Sequence, residues 1–179
     1  MLQTPLPAPE WHTRPIVLVG LMVVGKTTVG RRLAQRLRLP FVDADAEIET
    51  AAGMSVAEIF DRFGEAHFRD GERRVIARLM DGTRKVIATG GGAFINAETR
   101  ALILRDALAI WLNADPEVLA NRVSRRDTRP LLRNRDPRAV LEELARVRNP
   151  LYALAPIHVT SATSPHEATV SAILKALGK

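Results

Sequence analysis

Short apolar runs alternate along the chain with longer segments in which apolar residues recur every three or four positions. The runs predict five buried strands, at residues 15–19, 41–42, 85–89, 107–112 and 157–160. The periodic segments predict helices with one apolar face. Strands and helices alternate about five times, which predicts an α/β fold of three layers, α/β/α, around a five-stranded parallel sheet.

Several predicted helices begin at sequence signals that are independent of the apolar pattern. The Ser-x-x-Glu pattern at residues 55–58 is a capping box and predicts a short helix, followed by another over residues 65–80. Three dipeptides each place a capping side chain before a proline that fits the first helical turn. They are Asp115-Pro116, Asp136-Pro137 and Ser164-Pro165.

The beginning of the chain differs from the rest because it is rich in proline. Four of the 11 prolines lie within the first fifteen residues, where they break any helix, and no apolar core of the signal-peptide kind is present. We therefore expect a flexible leader over residues 1–14, a single domain over residues 15–179, and a cytoplasmic protein. No apolar run is long enough to span a bilayer. The absence of cysteine excludes disulfides and thiol chemistry.

The chain is basic, with a formal net charge of +6 and a pI near 10.6. Nucleic-acid binding is one interpretation of this charge, but only 4% of the residues are aromatic and no nucleic-acid-binding motif is present. Arginines cluster between Arg122 and Arg138, in a segment with few apolar residues. We expect residues 122–138 to form a mobile lid that brings Arg129 and Arg122 to a bound nucleotide. A solvated basic loop is the alternative for most of these arginines.

The clearest chemical signal is a glycine-rich loop between the first predicted strand and the first predicted helix. Residues 20–27 read Gly-Leu-Met-Val-Val-Gly-Lys-Thr and match the pattern G-x-x-x-x-G-K-[ST], which indicates a fold of the P-loop NTP-hydrolase type. N–H groups of such a loop converge on phosphate oxygens, while Lys26 supplies positive charge and Thr27 a hydroxyl for Mg²⁺. The residues expected to bind ATP here are Val23, Val24, Gly25, Lys26, Thr27 and Thr28. The loop predicts nucleotide binding but leaves the phosphoryl acceptor open.

Acidic and glycine-rich residues follow the ends of two further predicted strands. Asp43 and Asp45 stand two positions apart at the exit of the second strand, so both carboxylates are expected to point into one crevice. Mg²⁺ held by ATP would neutralise them, and one would orient the attacking hydroxyl. A helix N-cap followed by a second acid is the alternative. Gly90, Gly91 and Gly92 follow the third strand and let a ligand approach the backbone closely, unless they form a plain turn.

Taken together, these segments resemble the shikimate kinases. Beside the phosphate loop, the resemblance rests on Phe41-Val-Asp-Ala-Asp45, Phe68-Arg-Asp-Gly-Glu72, Thr89-Gly-Gly-Gly92, Arg129-Pro-Leu-Leu132 and Arg148-Asn-Pro-Leu-Tyr152. These motifs occur in the family's order and at its spacings. The resemblance implies transfer of the γ-phosphoryl group of ATP to the 3-hydroxyl of shikimate, with Mg²⁺ as cofactor, by a monomer that serves chorismate and aromatic amino-acid biosynthesis.

The resemblance also implies a role for each matching residue. Asp45 would bind shikimate hydroxyls and act as the base, and Asp43 would hold Mg²⁺ through water beside Thr27. Arg69 and Arg148 would pair with the shikimate carboxylate, for which a guanidinium is well suited. The remaining roles fall to Glu72, which would orient Arg69; to Gly90, Gly91 and Gly92, whose backbone would contact shikimate; to Arg129 at the phosphates; and to Arg122 at the adenine. The expected catalytic residues are Asp45, Lys26 and Arg129.

One position departs from the family's pattern. The family usually carries glycine where this chain has Val23. A β-branched residue is unfavourable wherever φ must be positive, by about 1–2 kcal/mol, so we expect weaker nucleotide binding than in a glycine version. Two rival functions share the phosphate loop. One is a kinase for another polyol acid such as gluconate, and the other is a nucleotide-binding module without catalysis.

Overall fold

The computed structural model describes residues 12–123, 132, 134–161 and 166–179. Within these residues, five parallel strands form one sheet. In chain order they are β1 (Ile16–Val19), β2 (Phe41–Asp43), β3 (Val86–Ala88), β4 (Leu108–Asn113) and β5 (Ile157–Thr160). In space the order is β2-β3-β1-β4-β5, and Leu18 of β1 aligns with Ala88 of β3 and Ile110 of β4.

Helices flank the sheet, so the predicted three-layer α/β fold is confirmed. They are α1 (Lys26–Leu37), α2 (Ala44–Ala52), α3 (Val56–Leu79), α4 (Ala97–Asp106), α5 (Pro116–Arg122), α6 (Pro137–Tyr152) and α7 (His166–Ala176). A short 3₁₀ helix spans Ala93–Ile95. In the part of the chain that the structure describes, no helix is both long and apolar enough to cross a membrane.

The three central strands are covered on both faces and therefore consist almost entirely of apolar residues. All of β1 is fully buried, and β3 and β4 are buried as well apart from Asn113 at the end of β4. Because the strands are parallel, their carboxyl ends lie at one edge of the sheet. The segments that follow β1, β2 and β3 therefore meet at that edge. They are the phosphate loop, the acidic pair and the triple glycine.

The longest helix, α3, contains the break that the sequence predicts between two helices. Ser55 caps its first turn, because the Ser55 hydroxyl accepts a hydrogen bond from the Glu58 N–H at 3.1 Å. Gly64 has φ 82° and ψ 174°, which is not helical and kinks the helix. The half of α3 that follows the kink carries Arg69 and Glu72 toward the functional edge of the sheet.

The structure corrects the prediction for the acidic pair. Asp43 ends β2, whereas Asp45 belongs to α2, so the two carboxylates are not alternate residues of one strand. The Asp43 carboxylate accepts a hydrogen bond from the Ala46 N–H at 3.2 Å, which starts the helix directly after the strand. The N-cap alternative is therefore confirmed for Asp43, and Asp45 lies in the first turn of α2.

The other predicted helix starts have mixed outcomes. Asp115 accepts a backbone hydrogen bond at 2.8 Å, and Pro116 opens α5. Asp136 precedes Pro137 at the start of α6, but its side chain makes no capping hydrogen bond. Three further predictions concern residues outside those described: the Ser164-Pro165 cap, residues 1–11 of the expected leader, and most of the expected lid, including Arg129.

Candidate active site

The phosphate loop connects β1 to α1 and lines a cavity of about 570 Å³. Gly25, with φ 100°, immediately precedes α1, and no side chain of the described residues caps this helix. The N–H groups of the first turn are therefore without a capping acceptor, which is the usual arrangement at a helix that binds phosphate. The local structure thus agrees with the nucleotide-binding role that the sequence predicts.

Val23 introduces strain into this loop. Its φ is 59°, in the left-handed region that β-branched residues rarely adopt. The Val23 side chain lines the cavity and also packs against the hydrophobic core. The expectation that a valine here meets a positive φ is confirmed, and its effect on nucleotide affinity stays a prediction.

Lys26 lies folded back onto its own loop. The residue is 8% exposed, and its ammonium donates hydrogen bonds to the Gly20 carbonyl at 2.6 Å and the Leu21 carbonyl at 2.9 Å. A charged phosphate oxygen is a stronger acceptor than a carbonyl. A phosphate oxygen in this cavity would therefore compete with the two carbonyls for the Lys26 ammonium.

Thr27 and Asp43 form a pair that joins α1 to the end of β2. The Thr27 hydroxyl donates a hydrogen bond to Asp43 Oδ2 at 3.1 Å. Hydroxyl and carboxylate oxygens suit Mg²⁺, which usually takes one or two carboxylates together with substrate phosphates. Among the described residues, no group of three or more His, Cys, Asp or Glu side chains could hold a metal ion. A Mg²⁺ ion at this pair would therefore depend on the phosphates of a nucleotide.

Arg122 and His166 form a further part of the wall of the nucleotide cavity. Arg122 Nη1 donates a hydrogen bond to the Val24 carbonyl at 3.0 Å. His166 packs so closely on Gly25 that a β-carbon built there would lie 2.7 Å from its Cε1. The buried Nδ1 of His166 has no hydrogen-bond partner among the residues described. Burial, followed by the charges of Arg122 and Arg32, lowers the pKa of His166 and favours its neutral form. Sequence reasoning missed this residue, because no motif marks it.

Asp45 lines this cavity and also an adjoining one of about 340 Å³, which we call the acid cavity. Burial raises the pKa of Asp45, as does the neighbouring Asp43, while Lys26 and Arg69 act in the opposite direction. Asp45 Oδ1 is buried and has no hydrogen-bond partner within the described residues. The structure therefore places one carboxylate, with an oxygen not yet satisfied, at the wall that the two cavities share.

Two guanidinium groups, those of Arg69 and Arg148, line the acid cavity. Arg69 is 18% exposed and donates a hydrogen bond to Glu72 Oε1 at 2.9 Å. Its guanidinium also lies over the Phe68 ring, 5.1 Å from the centroid. Arg69 is therefore held within the site and is not a solvated surface arginine. Arg148, on α6, lines the same cavity, so two guanidinium groups from different helices are available to a small anion with a carboxylate.

Glu72 is the buried partner that holds Arg69. It is 1% exposed, and its Oε2 has no hydrogen-bond partner among the described residues. Burial raises the pKa of Glu72 to about 7, although the charge of Arg69 opposes the shift. The Glu72 carboxyl, which holds Arg69, is therefore expected to change its charge near neutral pH.

The triple glycine has a separate steric reason at each position. A β-carbon built on Gly90 would lie 2.8 Å from Asp45 Oδ1, and one on Gly92 would overlap the Arg69 guanidinium. One on Gly91 would lie 3.3 Å from Arg148 Nη1. Gly91 and Gly92 do lie in a turn, as the alternative predicts, and each of the three glycines also leaves room for a different polar side chain of the site.

The remaining predicted residues divide into three groups. Thr28 lines the nucleotide cavity with Val23, Gly25 and Lys26. Val24 is fully buried in the core and Asp43 lines neither cavity, so each reaches the site only through a neighbour. In the expected lid, Arg135 and Arg138 form exposed ion pairs with Glu143 and Glu142, as the solvated alternative predicts. Sequence reasoning also missed Met22 and Thr89, which line the nucleotide cavity.

Comparison with known sequences gives a family match over most of the chain. The family model described as shikimate kinase matches residues 22–178. A shikimate kinase of Caulobacter vibrioides is 62% identical over 166 residues, covering 93% of this chain and 83% of the relative. One from Novosphingobium aromaticivorans is 59% identical over 169 residues, covering 92% of this chain and 87% of the relative.

Solved structures give a concordant result. A shikimate kinase from Acinetobacter baumannii, determined in complex with shikimate, matches with a TM-score of 0.84 at 36% identity, covering 94% of this chain and 96% of that one. A gluconokinase from Sinorhizobium meliloti matches with a TM-score of 0.59 at 18% identity, covering 93% and 92%. The second likeness shows a shared fold alone.

Proposed function

The chain belongs to the shikimate kinase family, and from this premise we propose how its two cavities divide the reaction between them. The reaction transfers the γ-phosphoryl group of ATP to the 3-hydroxyl of shikimate and gives shikimate 3-phosphate and ADP. ATP binds at the phosphate loop, and shikimate binds in the acid cavity. The observation that carries this division is the position of Asp45, which lines both cavities.

On the nucleotide side, Lys26 and the first-turn N–H groups of α1 hold the phosphates. Lys26 leaves the carbonyls of Gly20 and Leu21 and moves to the transferring group, where it neutralises charge that spreads over the phosphoryl oxygens. Thr27 and Asp43 would hold Mg²⁺, which when bound supplies further positive charge at the phosphates. Arg129 lies outside the described residues, so its expected role in neutralising charge at the phosphates stays a prediction.

On the acceptor side, Arg69 and Arg148 bind the shikimate carboxylate from two directions. This anchors the ring with its hydroxyls toward the wall that the cavities share. Asp45 accepts a hydrogen bond from the attacking hydroxyl and takes its proton as the new O–P bond forms. The raised pKa of Asp45 makes it a stronger base than an ordinary aspartate. Its unsatisfied Oδ1 gives the hydroxyl a ready acceptor.

Two enzyme assays with the purified protein test this proposal. In a coupled assay of ADP release, we expect activity with shikimate and none above background with gluconate. In the same assay, Asp45→Asn is expected to lose most of kcat, because the amide cannot take the proton, while ATP binding measured by calorimetry is retained. Near-normal turnover by Asp45→Asn would exclude Asp45 as the base. ATP binding without shikimate-dependent turnover in the wild type would favour a non-catalytic module. The cytoplasmic location and the monomeric state stay predictions.

A further inference from the structure

Tyr152 connects the hydrophobic core to the triple glycine. It lies in the last turn of α6, is fully buried, and packs with its ring centroid 6.1 Å from that of Trp111 on β4. A buried phenol needs a partner for its hydroxyl. Here the hydroxyl donates a hydrogen bond to the backbone carbonyl of Gly91. Tyr152 lines neither cavity, but its hydroxyl is hydrogen-bonded to Gly91, which lines both of them.

Gly91 is the point at which this hydrogen bond reaches the site. A β-carbon built on Gly91 would lie 3.3 Å from Arg148 Nη1 and 3.4 Å from the Met22 N–H nitrogen of the phosphate loop. The Arg148 guanidinium therefore occupies the space beside the Gly91 backbone that a side chain would fill, and the position of this backbone limits where the guanidinium can lie. Gly91 has no side chain that could fix its position by packing. The hydrogen bond from the Tyr152 hydroxyl therefore restricts the movement of the Gly91 carbonyl.

The sequence spacing strengthens the connection. Arg148 and Tyr152 stand four residues apart on α6, which places them on one face of the helix. Burial raises the pKa of Tyr152 to about 12, while the charge of the nearby Arg148 guanidinium acts in the opposite direction. The hydroxyl therefore stays protonated at neutral pH and remains a donor. One helical turn thus carries both the guanidinium and the group that fixes the backbone beside it.

We propose that Tyr152 is a positioning residue for the acceptor, holding Gly91 so that Arg148 meets the carboxylate of the substrate in a fixed geometry. This inference rests on the proposed function, in which Arg148 binds shikimate. Tyr152 itself touches neither substrate. Its hydroxyl acts on the acid cavity through Gly91 and through its own hydrogen bond with the Arg148 guanidinium. Its effect on the nucleotide should be small because the phosphate loop has its own hydrogen bonds.

The variant Tyr152→Phe separates the hydroxyl from the ring, because phenylalanine keeps the packing on Trp111. We expect the KM for shikimate to rise about fivefold to tenfold, since the Gly91 carbonyl loses a buried partner, while kcat and the KM for ATP stay within about twofold. Thr99→Val is the control for losing a buried hydroxyl as such, because Thr99 Oγ1 has no hydrogen-bond partner among the described residues. It removes another fully buried hydroxyl, on α4, and Thr99 lines neither cavity. We expect both KM values to remain those of the wild type in this control.

Three outcomes would overturn the positioning role. The first is an unchanged KM for shikimate in Tyr152→Phe, which would leave the ring packing as the whole contribution. The second is an equal rise in both KM values, which would indicate a general loss of structure. The third is the same rise in Thr99→Val. Failure of the proposed function would look different, because the wild-type protein itself would not turn over shikimate. Calorimetric binding of shikimate to wild type and Tyr152→Phe would then decide the positioning role alone.

Discussion

Replacing Val23 by glycine removes the strain in the phosphate loop. Val23 has φ 59°, and an L residue in this region is disfavoured by about 1–2 kcal/mol. Valine intrinsically favours negative φ, whereas glycine accepts either sign. The strain weakens ATP binding to the extent that the loop relaxes away from φ 59° and must return to it when the triphosphate binds. If all of the strain is expressed on binding, Val23→Gly lowers the Kd for ATP roughly fivefold to thirtyfold.

Two effects oppose a gain in the folding stability of Val23→Gly, and neither of them acts on its affinity for ATP. Glycine loses more conformational entropy on folding, about 0.4–1 kcal/mol, and the contacts of the Val23 side chain with the core are lost. We therefore expect little change in the thermal midpoint of the nucleotide-free protein. The gain should appear in the Kd, measured by calorimetry with ATP in the absence of shikimate.

Arg38 offers a matched control for this substitution. It also has a positive φ, 56°, but lies exposed at the C-cap of α1, away from the phosphate loop. Arg38→Gly should relieve similar backbone strain and leave the Kd for ATP unchanged. A Kd for Val23→Gly that equals or exceeds that of the wild type would show that strain at Val23 does not weaken ATP binding. An equal gain in Arg38→Gly would show that the effect is not local to the loop.

Three further predictions concern side chains around the two cavities. Because the pKa of Glu72 rises from an ordinary value of 4.5 to about 7 on folding, its stabilising proton is fully bound below pH 4.5 and lost as the pH rises through 7. The thermal midpoint of the wild type should therefore fall relative to that of Glu72→Gln over this range, and parallel curves would contradict it. Gly92→Ala should raise the KM for shikimate at least tenfold, because its methyl group overlaps Arg69, whereas Gly71→Ala, in open space on α3, should not. His166→Ala should raise the KM for ATP about twofold to tenfold, because a polar contact with the nucleotide is lost. The KM for shikimate should stay unchanged. An equal rise in the two KM values would argue against a contact between His166 and the nucleotide.

The alternation of apolar runs, together with the capping signals, was sufficient to predict the sheet and its flanking helices, with the exception of α2. Buried parallel strands such as Ile16–Val19 need apolar residues on both faces, so their composition marks them directly. The phosphate loop could also be predicted, because its chemistry requires fixed residues at a fixed spacing. Signals of this kind are local and do not depend on the rest of the fold.

Sequence reasoning failed where two local structures compete. The sequence after Phe41 predicts a strand with two alternating acidic residues. Instead, the Asp43 carboxylate accepts a hydrogen bond from the Ala46 N–H, and a helix begins directly after Asp43. The placement of His166 against Gly25 could not be predicted either, because it depends on packing between α1 and α7. The same is true of Tyr152, whose partner Gly91 is 61 positions away in the chain.

The division of the reaction between the two cavities can be tested by a crystal structure with shikimate and a non-hydrolysable ATP analogue. We expect the shikimate carboxylate between Arg69 and Arg148, and the 3-hydroxyl within roughly 2.6–3.2 Å of an Asp45 oxygen and in line with the γ-phosphorus. Shikimate bound outside the acid cavity, or a 3-hydroxyl that contacts no oxygen of Asp45, would exclude Asp45 as the base that joins the two cavities.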